Sequence, residues 1–209
     1  MSENNHTVWH NGYLTMGKRN RLNQHDSGVI WFTGLSASGK STIAHLIEKR
    51  LFNDGIRAYV FDGDNIRHGL NSNLGFSTED RKENIRRIVE VAKLFVDAGV
   101  IVLTAFITPL KEQREFIRDR FKGIKFIEVY VKCCIQECLK RDPKGLYKKA
   151  QEGIISNYTG ISSPYDIPEN PNLVIDTEKL SIEESVSAVL DYIGETDFLG
   201  LKKYHTLKT

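Results

Sequence analysis

The sequence predicts an α/β fold in three layers: a five-stranded parallel sheet with helices on both faces. Short apolar runs alternate with longer stretches whose apolar residues recur at helical spacing, the mark of strands joined by helical crossovers. The first run, Val29-Ile30-Trp31-Phe32-Thr33, is continuously apolar, as a strand covered on both faces should be. A glycine-rich turn joins that run to the first long helical pattern.

The elements follow in order. After the strand at 29–33, residues 41–51 read as a helix with Ile43, Leu46, Ile47 and Leu51 on one side. Residues 57–61 form a second strand, expected to neighbour the first. Residues 78–98 are the clearest helix, closed by Gly99. A strand at 100–106, a helix at 110–121, a strand at 125–131 and a helix at 135–141 come next. A short strand at 173–176 precedes a final helix at 181–193, opened by a capping box of Ser181 with Glu184. Residues 1–27 read as a polar, aperiodic lead-in with Trp9 as a packing anchor. Residues 28–194 are the domain, with a lid at about 141–168, and residues 195–209 are a tail.

Composition excludes several classes. The chain has 209 residues, 40% of them hydrophobic, enough to bury a core without disulfides or metal. Lys and Arg number 29 against 27 acids, a net charge of +2, so nucleic acid is not an expected partner. The longest apolar stretch, residues 99–110, is broken by Thr104, Thr108 and Pro109 and is too short to span a bilayer. The first residues, MSENNHTVWHNGYL, lack the apolar run of a signal peptide. The three cysteines, Cys133, Cys134 and Cys138, have no partners at zinc-ligand spacing and suit a reducing compartment, so a cytoplasmic location is expected.

The first chemistry-bearing motif is Gly34-Leu35-Ser36-Ala37-Ser38-Gly39-Lys40-Ser41-Thr42, which fits G-x-x-x-x-G-K-[ST] between a strand and a helix. That context makes it a phosphate-binding loop and the fold a three-layer P-loop NTPase fold. Gly34 and Gly39 permit the tight turn, and backbone amides at the helix N-terminus wrap the phosphates. Lys40 neutralises the β- and γ-phosphates, and the Ser41 hydroxyl is the expected ligand of Mg²⁺. No N-K-x-D guanine-reading motif follows, which favours ATP.

The motif does not specify the acceptor; other segments bear on it. Asp62-Gly63-Asp64-Asn65-Ile66-Arg67 leaves the carboxyl end of the second strand, where ligands of such sheets bind. Asp62 at the strand tip suits a Mg-bound water or a hydroxyl proton. Asp64 reads either as an acceptor ligand or as part of a turn and helix cap. On the helix at 78–98, Arg81 falls within the stripe of Ile85, Ile88, Val89, Ala92, Phe95 and Val96, and Asn84 lies at its edge. A charged residue there either reaches solvent or points into the cleft at an anion. Phe76 is placed to stack on a base. Thr108, before Pro109, is either a helix cap or a strand-tip site residue. The basic run 141–149 is either a solvated face or a lid.

The stretches GLSASGKST from Gly34, DGDNIRHGLN from Asp62, LGFSTEDRKENIRR from Leu74, FITP from Phe106, RDPKGLYKKA from Arg141 and NYTGISSPYDIP from Asn157 together resemble the adenylyl-sulfate kinase family, in family order from about residue 27 to 193. The lead-in VWH at Val8 resembles its bacterial stand-alone members. The resemblance implies phosphoryl transfer from Mg-ATP to the ribose 3′-hydroxyl of adenylyl sulfate, in sulfate assimilation, by a homodimer. It implies an adenylyl-sulfate pocket of Asp62, Asp64, Arg67, Phe76, Arg81, Asn84 and Ile107, with Lys144, Gly145, Leu146 and Tyr158 on its lid side. It implies Arg141 against the ATP adenine. Three positions depart from the family pattern: Thr108 stands at the place of a family phosphoserine, Tyr158 for Phe and Gln151 for Arg.

Overall fold

The computed structural model describes residues 8, 10 and 12–202; Trp9 lies outside them. Five parallel strands, β1 (Gly28–Thr33), β2 (Ala58–Asp62), β3 (Ile101–Ala105), β4 (Phe126–Lys132) and β5 (Leu173–Asp176), form one sheet in the order β2-β3-β1-β4-β5. β1 lies at the centre and is buried along its whole length, which explains its unbroken apolar sequence. The second strand does not neighbour the first as expected: β3 lies between them, in register Phe32 with Ala105 and Phe61 with Thr104. A helical crossover can skip one sheet position, and sequence pattern alone does not say when it does.

Two cores clothe the sheet. On one face, α2 (Lys40–Asn53) and α8 (Ile182–Glu195) bury Ile43, Ile47, Leu51, Val186, Val189 and Ile193 against Ile30, Phe32 and Val129. On the other, α4 (Thr78–Asp97) and α5 (Lys111–Arg120) cover Val29, Trp31 and Val102 with Ile85, Ile88, Val89, Val96 and Ile117. The capping box opens α8: the Glu184 amide donates to Ser181 Oγ at 3.2 Å, and the Ser181 amide to Glu184 Oε2 at 2.8 Å. Gly99 takes a left-handed φ of 84° one residue past the α4 cap, and its amide returns to Val96 O.

Three helices are additional to the sequence reading. α1 (Met16–Asn23) lies in the lead-in, capped by Thr15. α3 (Gly63–His68) and α7 (Leu146–Gln151) are six residues each, too short for periodicity to reveal. α6 (Ile135–Arg141) completes the set. The lead-in and tail also pack on the domain. His25, Asp26 and Ser27 are buried, as are Phe198 and Leu199, and the Asp26 amide donates to Leu199 O at 2.7 Å. His25 Nε2 accepts the Arg57 amide while Nδ1 faces Asp26 O, so the neutral ring with hydrogen on Nδ1 satisfies both. Burial accordingly lowers its pKa.

Candidate active site

The turn from β1 to α2 builds the donor wall. A Cβ at Gly34, where φ is 150°, would lie 2.4 Å from Val131 O, so glycine alone fits this approach of the loop to β4. Gly39 has φ 105°, and Ala37 is held at φ 61°. Lys40 is buried, and its amine donates to Leu35 O at 2.6 Å, folded back on the loop it serves. Burial depresses its pKa to about 8; the carboxylates of Asp62 and Asp64 support the charge and Lys144 opposes it. An ammonium held so deep, bonded mainly to a carbonyl, is poised for an anion.

Asp62 ends β2 and caps α3, its Oδ1 accepting the Asp64 amide at 2.9 Å. Although β2 is the edge strand, the carboxylate lies near enough to the Ser41 hydroxyl of the loop for the two to influence each other. Half-burial pushes its pKa up. The Ser41 hydroxyl, the amides of Asp64 and Asn65 and the charge of Lys144 outweigh that and hold the carboxyl below its ordinary range. The group is therefore ionised at neutral pH. Ser41 and Asp62, an oxygen-donor pair of the kind Mg²⁺ prefers, are thus brought together.

The acceptor wall is made of long side chains tied to other parts of the chain. Arg67 lies over the Phe76 ring, 4.3 Å from its centroid, and donates to Leu74 O and Gly75 O. Arg81 donates to Phe76 O, to Asn157 O and, at 3.1 Å, to Thr159 Oγ1. Partial burial lowers the pKa of both guanidiniums, and that of Arg67 is lowered further by the charge of Arg81. Two partly buried guanidiniums, one lowered by the charge of the other, suit a place where an anion is stabilised. Asn84 is buried and accepts from Asn71 Nδ2 at 2.9 Å. Lys144 pairs with Asp64 across the cleft, so the lid rests against α3. Gly145, at φ 64°, and the half-buried Leu146 lead into α7. Tyr158 packs edge-on against Tyr147, ring centroids 5.0 Å apart.

Arg141 is fixed on the donor side. It donates to Thr177 O at 2.8 Å and Thr177 Oγ1 at 3.1 Å, while that hydroxyl donates to Ser38 O of the loop at 3.0 Å. Ile107 meets the loop through its backbone, its carbonyl accepting from the Thr33 hydroxyl at 2.7 Å. Thr108 is placed differently from the expectation. The helix cap is Leu110, and Thr108 is buried with its hydroxyl accepting from the Trp31 indole at 2.9 Å. It sits at φ 45°, a position a β-branched residue rarely takes. Arg114, buried beside Glu128, pins the turn by donating to Thr108 O and Pro109 O. A hydroxyl so enclosed is a brace for the strand tip and is not presented to a nucleotide. Thr177, Tyr147 and the Arg114–Glu128 pair are contributors the sequence reading missed. Tyr147 and Ala150, buried at i and i+3 on α7, are a faint signal of a covered helix face.

Comparisons with known proteins bear on the family and the fold. The family model described as adenylylsulphate kinase matches residues 26–176. The adenylyl-sulfate kinase of Staphylococcus epidermidis is 58% identical over 199 residues, covering 95% of this chain and all of that one. The APS kinase of Mycobacterium tuberculosis, solved with AMPPNP and APS, superposes with a TM-score of 0.79 at 49% identity, over 81% of this chain and 98% of that one. A gluconokinase of Sinorhizobium meliloti, 16% identical over 81% of this chain and 93% of its own at a TM-score of 0.53, shares the fold alone.

Proposed function

The chain belongs to the adenylylsulphate kinase family, and from that premise we propose how its own residues divide the work. The reaction is transfer of the γ-phosphoryl group of ATP to the ribose 3′-hydroxyl of adenylyl sulfate, giving 3′-phosphoadenylyl sulfate and ADP. The observation that carries the assignment is the ionised Asp62 carboxylate at the tip of β2, supporting the charge of the buried Lys40 amine of the phosphate loop.

The loop amides and Lys40 hold the phosphates, and the ammonium stabilises charge on the moving group. Asp62, ionised and weakly basic, orients the acceptor hydroxyl and takes its proton as the bond to phosphorus forms. Arg67 and Arg81 hold the phosphosulfate, and Phe76 stacks on the adenine of adenylyl sulfate. Lys144, Leu146 and Tyr158 close the lid side, and Arg141 lies against the adenine of ATP. Ser41 and Asp62 are the residues that would hold Mg²⁺, which when bound would supply neutralisation of the phosphate charge. Positioning matters because two anionic nucleotides repel unless the protein matches their charge.

The test is to mix the protein with ATP, magnesium and adenylyl sulfate and identify the product by mass spectrometry, with adenosine, AMP and shikimate as competing acceptors. The expected product is 3′-phosphoadenylyl sulfate. ATP binding without binding of adenylyl sulfate would overturn the acceptor assignment. A homodimer in the cytoplasm is proposed from the family resemblance and from Cys133, Cys134 and Cys138, which form no disulfide. Among the described residues no helix is long and apolar enough to cross a membrane. Light scattering reads the assembly state.

A further inference from the structure

A third, smaller core lies apart from the two that clothe the sheet. It joins Leu35 and Ala37 of the phosphate loop, Cys133, Ile135, Cys138 and Leu139 around the start of α6, and Tyr147 and Tyr158 of the lid. Tyr147 is at its centre, wholly buried. A buried phenol needs a partner for its hydroxyl. Here the partner is a carbonyl of the phosphate loop itself: Tyr147 Oη donates to Ser36 O at 3.0 Å. Burial accordingly pushes the Tyr147 pKa up, which keeps the hydrogen in place to donate. The same burial lifts the Cys138 thiol to about 12, so the thiol is packing and not a nucleophile.

The bond has a consequence for the loop. The carbonyl of Ser36 and the amide of Ala37 belong to one planar peptide and point in opposite directions. Fixing the carbonyl on Tyr147 therefore fixes the Ala37 amide pointing away from it, with Ala37 held at φ 61°. The lid end of the bond is equally well tied. The Asp142 carboxylate accepts the amides of Tyr147 and Lys148, each at 3.2 Å, at the start of α7, where Gly145 supplies no side-chain cap. Three residues before Tyr147, Lys144 reaches Asp64. Asp64 donates its amide to Asp62, whose carboxylate supports the charge of Lys40 at the far end of the loop. The contacts thus run from Ser36 through the lid to the acceptor wall.

We propose that Tyr147 is a positioning residue that couples the lid to the phosphate loop, so that filling the loop with the phosphates of ATP and closing the acceptor pocket favour each other. The proposal rests on the reading of the lid as one wall of the acceptor pocket. Tyr147→Phe tests it, since the ring stays and only the bond to Ser36 is lost. In the natural protein, adenylyl sulfate is expected to bind more tightly when AMPPNP is present, within the roughly 5–150-fold range of coupled sites. In Tyr147→Phe that factor falls to near one, while the affinity for AMPPNP alone stays within about twofold; the strengthening of AMPPNP binding by adenylyl sulfate is lost by the same factor, as reciprocal coupling requires. Hydrogen exchange gives a second measurement: AMPPNP alone is expected to slow the amides of residues 144–158 in the natural protein and not in the variant.

A coupling factor unchanged by the substitution would overturn the proposal. So would a natural protein whose lid exchange ignores AMPPNP. If adenylyl sulfate fails to bind in every arm while AMPPNP still protects the lid only when Tyr147 is present, the acceptor assignment falls and the coupling stands. An equal loss of thermal stability and of both affinities would mark Tyr147 as packing alone.

Discussion

The two walls of the cleft are built on opposite principles. The donor wall is backbone: a loop fixed by Gly34 and Gly39 between a buried strand and a buried helix, with its one lysine enclosed. The acceptor wall is side chain: Arg67, Arg81 and Lys144 reach across gaps and are already engaged with Leu74 O, Gly75 O, Asn157 O and Asp64. A triphosphate meets a backbone turn that is formed in advance, with only Lys40 to release from Leu35 O. An acceptor has to displace protein partners from the cations that would hold it. Preorganisation therefore belongs to the donor side, and selection of the acceptor depends on a balance of exchanged hydrogen bonds.

The largest expected effect follows from the donor wall. Lys40→Ala removes the enclosed charge and nothing on the surface can replace it. Turnover is expected to fall by about 10³-fold or more. A loss below tenfold in steady-state kinetics would show that the loop amides suffice and that the lysine is not central.

Asp62→Asn sits at the seam between the walls. It keeps the cap on α3 through the amide oxygen but loses the charge and the capacity to take a proton. A fall in kcat of about 10²- to 10⁴-fold is expected, with ATP affinity by calorimetry within a few-fold. A change confined to KM for ATP would move Asp62 wholly to the donor wall.

How much was legible in the sequence follows the same division. The donor wall was readable because its chemistry needs fixed residue types at fixed spacing, and Gly34 to Thr42 supply them within one turn. The central strands β1 and β3 were readable because burial on both faces gives near-unbroken apolar runs, and the outer strands β2 and β5, which expose Tyr59 and Val174, by short apolar runs set between helical patterns. The position of β2 at the edge was not, since strand order depends on which crossover skips a place. The family motifs imply an acceptor pocket, and of the residues they imply the structure pairs Lys144 with Asp64 and Arg67 with Phe76. Tyr147 and Thr177 escaped because they act through bonds to loop carbonyls 111 and 139 residues away, which no local pattern encodes. The two readings of Thr108, cap or site residue, stayed open for the converse reason: the cap proves to be Leu110, and a strand-tip hydroxyl looks available until Trp31 is seen beneath it.

A third test uses pH to separate the walls. With no nucleotide bound, burial holds the Lys40 pKa at about 8. Below that value the ammonium is present and a triphosphate binds it directly. Above it, binding must also add a proton to the amine, because the bound anion raises the lysine pKa. The apparent Kd for ATP is expected to rise about tenfold between pH 7 and pH 9, with uptake of close to one proton per ATP at pH 9. Calorimetry in buffers of different ionisation enthalpy reads that uptake. On the acceptor wall the Lys144 pKa is raised by its bond to Asp64, and guanidinium groups stay charged. The affinity for adenylyl sulfate is therefore expected to change far less over the same range. Equal pH dependence for both ligands would break the contrast.

The smallest effect concerns Lys144→Ala. Its pairing with Asp64 is more than half exposed on both sides, and such pairs contribute roughly 0–1 kcal/mol to folding. The melting temperature of the unliganded protein is thus expected to move by no more than about 4 °C. Acceptor binding is a different comparison. Contact with an anionic ligand is a hydrogen bond between charged groups, worth about 1.5–3 kcal/mol, and forming it first breaks the pairing with Asp64. The difference is about 1 kcal/mol, which corresponds to a five- to tenfold rise in KM for adenylyl sulfate with kcat and KM for ATP unmoved. A melting shift above about 8 °C would mean that the lid helps hold the fold and that the acceptor wall is as preformed as the donor wall. A rise in both KM values would mean that Lys144 serves both ligands.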